Sequence, residues 1–204
     1  MDTLILATRN AGKVAELDHR LGGLLGNRLR LVSAADVPGA PDVAETAATL
    51  AGNAMLKAVA LFAHTGQPAL ADDTGLLVQA LGGAPGVHSA RYAGPDADDA
   101  ANRARLLRDL DGVLDRTARF ETVLALADET GVRLFTGVCT GTILDAERGQ
   151  GGFGYDALFV PDDAPDGGRT FAEMTTAEKG RISHRARALD AFASEVERVQ
   201  GLRG

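Results

Sequence analysis

The first strong pattern in the chain is an apolar run that leads through a polar loop into a helix. Thr3 to Ala7 reads as a short buried strand, and Thr8 to Lys13 is polar and contains glycine. From Val14 onward, Leu17, Leu21, Leu24 and Leu25 recur at helical spacing. Leu29 to Val32 predicts a second strand, and Thr46 to His64 an Ala-rich helix. Glu45, Thr49, Asn53 and Lys57 follow each other at i+4 and would form one polar stripe if that helix reaches back to Glu45. Its other faces are apolar, so most of the helix should be buried. A third strand is expected over 69–71, ending at Asp72-Asp73.

Asp98 to Leu110 reads as a charged surface helix, and Gly82 to Gly86 as a turn. Phe120 to Ala127 and Val132 to Ile143 are the longest strand candidates, joined by a turn over Asp128 to Gly131. Gly149 to Gly154 is a glycine-rich loop, and 162–169 is another loop. Thr175-x-x-Glu178 fits a capping box. Beyond it Ile182, Ala186, Leu189, Ala193 and Val196 mark the core face of a last helix. Helices and strands are interspersed and the two longest strands are adjacent. This predicts an α/β fold with a mixed sheet, not a purely parallel one.

Composition limits the function classes. With 204 residues, 45% apolar and 24% charged, the chain suits a single globular domain over 1–204. Acidic residues outnumber basic ones, 28 to 21, for a net charge of −7. This argues against a nucleic-acid polymer as partner, though a small anionic ligand stays compatible. Trp is absent and aromatics are 4%, which leaves little for a base-stacking platform. One Cys excludes an intrachain disulfide framework. The opening apolar run is too short for a signal or membrane span, so no membrane partner and a cytoplasmic location are expected. Of the 21 basic residues only Lys13, Lys57 and Lys179 are lysines.

Four segments carry groups suited to chemistry. The loop Thr8-Arg9-Asn10-Ala11-Gly12-Lys13 joins a strand to a helix N-terminus, where free N–H groups and the helix dipole favour a phosphate. A P-loop spelling fails there, because Ala7 stands where glycine is required and Val14 where Ser or Thr is required. Asp72-Asp73-Thr74-Gly75 offers adjacent carboxylates able to bind Mg²⁺ or activate water, with Glu45 the nearest other acid in an apolar setting. Gly152-Phe153-Gly154-Tyr155-Asp156 sets an aromatic beside glycines that allow close backbone approach to a flat base. Ser183-His184-Arg185, with Lys179 nearby, supplies donors for carbonyl or phosphate oxygens. Taken singly, each of these segments also reads as an ordinary turn or a solvated helix face. Neither HExxH nor a Cys/His cluster is present, so zinc is not indicated. Cys139 reads as a core residue, and GxSxG is absent.

Together the segments resemble the inosine triphosphate pyrophosphatase family, enzymes that hydrolyse non-standard purine nucleoside triphosphates. The matching runs are LATRNAGKVAEL, ET…NAMLKA, ADDTGLLVQALGGAPGVHSARYAG, GGFGYDALFVP and FAEMTTAEKGRISHRARAL, spread from Leu6 to Leu189. The resemblance implies a mixed central sheet flanked by helices, in two lobes with the active site in the cleft between them. It implies that Thr8, Arg9, Asn10, Ala11, Gly12, Lys13 and Lys57 hold the triphosphate. Glu45 and Asp73 would hold Mg²⁺. Asp73 would also be the general base, with Asp72 in support. Asn53 and Thr74 would contact substrate, and Phe153, Gly154, Tyr155, Asp156, Lys179, His184 and Arg185 would form the nucleoside pocket.

The implied substrates are ITP, dITP and XTP, cleaved to monophosphate and pyrophosphate and so removed from the nucleotide pool, by a homodimer. Arg9, Gly52 and Gly180 depart from the family's usual residues, and Gly52 inside a helix is expected to cost about 1 kcal/mol relative to Ala. A Maf-type nucleotide pyrophosphatase and a sensing domain without turnover are the alternatives. GFGYD and SHR argue against the first, and the carboxylates with lysines against the second.

Overall fold

The computed structural model describes residues 3–8, 14, 17, 18, 20–23, 29–164 and 167–199. Its strands are β1 (Thr3–Leu6), β2 (Arg30–Ser33), β3 (Ala69–Val78), β4 (Thr117–Asp128), β5 (Gly131–Ile143) and β6 (Phe159–Pro161). Its helices are α1 (Leu50–Thr65), α2 (Asp99–Asp109), α3 (Thr176–Ile182) and α4 (His184–Val199). Val14, Leu17, Asp18 and 20–23 are also helical. The strands form one six-stranded sheet in the order β2-β1-β3-β4-β5-β6. β1 runs parallel to β2 and β3, and β5 antiparallel to β6, so the sheet is mixed as expected.

Four local expectations are corrected. β3 does not end at the acids: it continues from Ala69 through both aspartates to Val78. The Asp73 carboxylate stays inside a buried strand because Asn53 and Lys57 of α1 meet it, which the apolar run over 69–71 does not reveal. α1 starts at Leu50, not Thr46, because the Thr49 hydroxyl accepts the Gly52 N–H and caps the helix. Glu45 and Thr49 therefore lie outside the helical stripe. Nor is α1 mostly buried. Leu50, Asn53, Ala54, Ala58 and Leu61 face inward, whereas Leu56 and Val59 are 41% and 44% exposed. A single helix lays only one stripe against its neighbours.

The last helix is in fact two. Ser183 is extended, ends α3, and its hydroxyl accepts the Ala186 N–H to start α4. The predicted capping box is present: Thr175 accepts the Glu178 N–H, and Glu178 accepts the Thr175 N–H at 2.8 Å. β6, unassigned from sequence, pairs with the end of β5, where a Cβ on Gly141 would lie 2.2 Å from the Val160 carbonyl oxygen.

The chain divides into two compact units. The first comprises Met1–Asp73, Thr122–Gly137 and Arg187–Gly204, and the second Thr74–Glu121 and Val138–Ala186. Within the first, Leu4, Leu6, Leu17, Leu21, Leu70, Leu124, Leu189 and Phe192 form one core. Within the second, Leu76, Leu106, Leu110, Phe120, Cys139, Phe159 and Phe171 form another, which gives Cys139 the core place expected of it. Burying each large apolar side chain contributes about 1.5–3 kcal/mol. Among the described residues no helix is long and apolar enough to cross a membrane.

Candidate active site

Two groups of side chains carry the predicted chemistry, one in each unit. The first lies beyond the C-terminal end of β1. The β1–β3 pairing runs Ile5↔Ala69 and Leu6↔Leu70, and the Ala7 N–H reaches the Leu70 carbonyl. Asp72 and Asp73 come just past that point. β1 connects to β2 on one side and pairs with β3 on the other, and carboxyl strand ends at such a switch are where open α/β sheets bind ligands. A cavity of about 380 Å³ opens here, lined by residues that include Thr8, Asp42, Glu45, Lys57 and Asp72.

Lys57 organises this group. From α1 its Nζ lies 3.0 Å from Glu45 Oε1, 3.2 Å from Asp73 Oδ1 and 2.7 Å from the main-chain carbonyl oxygen of Asp72. Asn53, one turn earlier and fully buried, accepts the Ala47 N–H at its Oδ1 and donates through Nδ2 to Asp73 Oδ2 at 3.3 Å. Asn53 thus orients Asp73 and ties it to the segment before α1. Thr74 follows on β3 and is half-buried.

The charges shape each other. Burial raises the Asp73 carboxyl; Lys57 opposes that rise, Glu45 adds to it, and the net shift is upward. Burial pulls the Lys57 ammonium down, but Asp73, Glu45 and Asp72 outweigh it, and the net shift is again upward. Asp73 is therefore a stronger base than an ordinary aspartate, while Lys57 stays charged.

The donor set fits Mg²⁺. Glu45 and Asp73 bring hard carboxylate oxygens to a single cationic group. Among the described residues no group of three or more His, Cys, Asp and Glu could hold a metal ion. Magnesium needs no such cage, because it is usually held by one or two carboxylates together with substrate phosphates.

The second group is built on the 149–156 loop. Gly152 has φ +72°, and a Cβ there would lie 2.1 Å from Asp156 Oδ2, so only glycine lets the chain fold back over this carboxylate. Asp156 Oδ2 accepts the Phe153 N–H at 2.9 Å and the Lys179 ammonium at 2.5 Å. Lys179 Nζ also lies 4.6 Å from the Phe153 ring centroid, and Arg185 Cζ 5.9 Å from it. Phe153 itself is 54% exposed. An open aromatic beside two cations suits a flat ring rich in carbonyl acceptors.

Tyr155 has a different place. It is buried in the core, and its hydroxyl donates to the Ser89 carbonyl at 2.8 Å. Burial raises that phenol's pKa, with Tyr92 and Asp99 adding to the shift. His184 is buried and stacks on Phe120 with ring centroids 4.8 Å apart, and Arg185 is buried beside it in the chain. Gly154 is gripped from α2: its N–H donates to Asp99 Oδ2 at 2.7 Å, and its carbonyl accepts Arg103 at 2.8 Å.

The sequence model of the Ham1 family matches residues 4–195. The chain belongs to the Ham1 family. It is 48% identical over 208 residues to the dITP/XTP pyrophosphatase of Geobacillus kaustophilus (strain HTA426), covering 100% of this chain and 98% of that one. It is 45% identical over 206 residues to the dITP/XTP pyrophosphatase of Mycolicibacterium paratuberculosis (strain ATCC BAA-968 / K-10), covering 100% of both. Among solved structures it is similar to a HAM1 protein from Coxiella burnetii, with TM-score 0.87 and 38% identity over 97% of this chain and 100% of that one. These relatives agree with the family expected from the motifs.

Within this Ham1-family chain, Glu45, Asn53, Lys57, Asp72 and Asp73 converge in the first unit. Phe153, Asp156, Lys179 and Arg185 converge in the second. Thr8 lines the cavity of the first. Arg9, Asn10, Ala11, Gly12 and Lys13 lie outside the described residues. Sequence reasoning missed the grip of Asp99 and Arg103 on Gly154 and the Phe120 ring beneath His184. The one available signal was the i, i+4 spacing of Asp99 and Arg103 on a predicted helix.

Proposed function

We propose that this protein hydrolyses dITP, ITP and XTP at the α–β phosphoanhydride, giving the nucleoside monophosphate and pyrophosphate. The carrying observation is the convergence of Glu45, Asp72 and Asp73 on Lys57, in a chain 48% identical along its whole length to an enzyme named for this activity. Mg²⁺ held by Glu45 and Asp73 would neutralise charge on the phosphate oxygens and polarise the phosphorus. Asp73, its carboxyl oriented by Asn53 and raised in basicity by burial, takes a proton from the attacking water. The water oxygen bonds to the α-phosphorus, the bond to the bridging oxygen breaks, and pyrophosphate leaves with the electron pair. The Lys57 ammonium offsets charge that builds on the leaving oxygens. Thr8 and residues 9–13 would take the phosphates, as the sequence resemblance implies.

Base selection falls to the second group. Phe153 stacks on the purine, while donors from His184, Arg185 and the backbone meet the 6-carbonyl of hypoxanthine or xanthine. Adenine presents an amino donor there and would leave those donors unpaired, at about 1–3 kcal/mol each. Guanine also carries a 6-carbonyl, so its rejection involves the 2-amino group. The Mg²⁺ requirement, a homodimeric state and action in the cytoplasm belong to the same reading and rest on the sequence resemblance.

The test is purified protein with a panel of nucleoside triphosphates, with Mg²⁺ and with EDTA, scoring pyrophosphate against orthophosphate. Pyrophosphate from dITP, ITP and XTP, little from ATP or GTP, and none in EDTA is the expected result. Orthophosphate as product, or turnover of modified pyrimidines in preference, overturns it. Sedimentation of the same sample checks the dimer.

A further inference from the structure

We infer that Asp99 and Arg103 of α2 are positioning residues that set the base-stacking ring of Phe153. This inference rests on the reading of the 153–156 loop as the nucleoside site. α2 appears in sequence as a charged surface helix, and nothing in its composition ties it to a ligand. In the fold, the i, i+4 spacing puts Asp99 and Arg103 on one helical face. From that face they take both polar groups of one residue: Asp99 Oδ2 accepts the Gly154 N–H at 2.7 Å, and an Arg103 guanidinium nitrogen donates to the Gly154 carbonyl at 2.8 Å. Arg103 is steadied in turn by Glu147, with Nε 2.9 Å from a carboxylate oxygen.

The loop needs this hold. Gly152 and Gly154 both have positive φ, +72° and +60°, and two left-handed glycines flanking Phe153 leave the unfolded loop many alternatives. On the other side of Phe153, Asp156 accepts its N–H at 2.9 Å. The Phe153 backbone is thus bracketed: Asp156 fixes its own N–H, while Asp99 and Arg103 fix the residue that follows. The ring has no rigid packing of its own to replace these bonds, since it is more than half exposed. The same helix also holds the 90–93 turn. Asn102 accepts the Ala93 N–H at 2.8 Å and donates to the Ala90 carbonyl at 3.1 Å. α2 therefore anchors two loops whose sequences, ARYAG and GFGYD, look like family motifs.

Asp99 and Arg103 do not touch the reacting atoms, so their loss should read out in base binding and not in the chemical step. Asp99→Ala and Arg103→Ala are expected to raise KM for ITP about tenfold, the scale of one lost charge-assisted hydrogen bond, with kcat within about threefold of wild type. Asp99→Asn keeps a carbonyl acceptor and is expected to restore KM to within about threefold. Because the chain has no Trp, Phe153→Trp gives a single indole at the site, which is excited at wavelengths where the two tyrosines do not absorb. Adding Asp99→Ala to it should lower the indole's fluorescence anisotropy.

Unchanged KM and unchanged anisotropy overturn the inference, and so does a loss confined to kcat. If Arg103→Ala does not fold, the exposed Asp99 decides alone. If the wild type does not hydrolyse ITP, the functional reading falls, while the anisotropy still decides whether α2 holds the loop.

Discussion

Asn53 Nδ2 lies 3.3 Å from Asp73 Oδ2, and Asn53 has no solvent exposure. The amide is used at both ends, since its oxygen accepts the Ala47 N–H. Asn53→Ala leaves the Asp73 carboxylate to the hold of Lys57, loosening its orientation, and leaves the Ala47 N–H without its acceptor. A drop in kcat of about tenfold to a hundredfold is expected, with KM for ITP moving less. Asp73→Asn should abolish turnover while circular dichroism stays native. Near-normal turnover in that variant would remove Asp73 as general base.

Lys57→Arg preserves charge but not geometry. One Nζ serves Glu45, the Asp72 carbonyl and Asp73 at 2.7–3.2 Å, which a compact ammonium can do and a planar guanidinium cannot. The substitution should lower kcat/KM about tenfold or more, the size of one or two such bonds. Wild-type kinetics would show that charge alone matters at this position.

Gly52 and Gly180 both sit in helices and should respond to alanine with opposite signs. A Cβ on Gly180 meets nothing within 4 Å, so Gly180→Ala should stabilise by about 0.5–1 kcal/mol. A Cβ on Gly52 would lie 2.6 Å from the Ala47 Cβ. Gly52→Ala should therefore destabilise, by about 1–3 kcal/mol, and push on the segment that holds Asn53. The helix-propensity expectation for Gly52 is reversed by this close approach. Urea unfolding of the two variants measures both signs.

Acid should weaken the protein partly through Glu178. Its carboxylate accepts Arg169 at 2.8 Å and the Thr175 N–H at 2.8 Å, and these bonds hold its pKa down to about 2 from the ordinary 4.5. A depressed folded-state pKa contributes stability above the unfolded value, and that contribution is lost as pH falls from 4.5 through about 2. Glu178→Gln should lower Tm at neutral pH and converge on wild type toward the bottom of that window. A constant gap in Tm across it would show that the charge is not involved.

The parts of the fold legible in sequence are those set by contacts a few residues apart. The Thr175–Glu178 capping box closes over three residues and stands where the motif put it. β4 and β5 were visible because their apolar runs are long and bounded by a tight turn. β3 is longer than its apolar run, which stops at Ala71, because the groups that meet the Asp73 carboxylate inside the strand come from α1. The start of α1 is not legible in the sequence, because alanines favour a helix on both sides of Thr49 and only the cap decides between them.

Local sequence sets the period of each element, the local caps and which residue types could carry chemistry: two acids, scarce lysines, a glycine-flanked phenylalanine. Tertiary structure alone decided their working state. Lys57 gathers oxygens from 12 to 16 residues away, and Asp99 reaches a peptide 55 residues on. The basicity of Asp73 and the setting of Phe153 depend on burial and on the distance to such neighbours, and a linear pattern carries neither quantity.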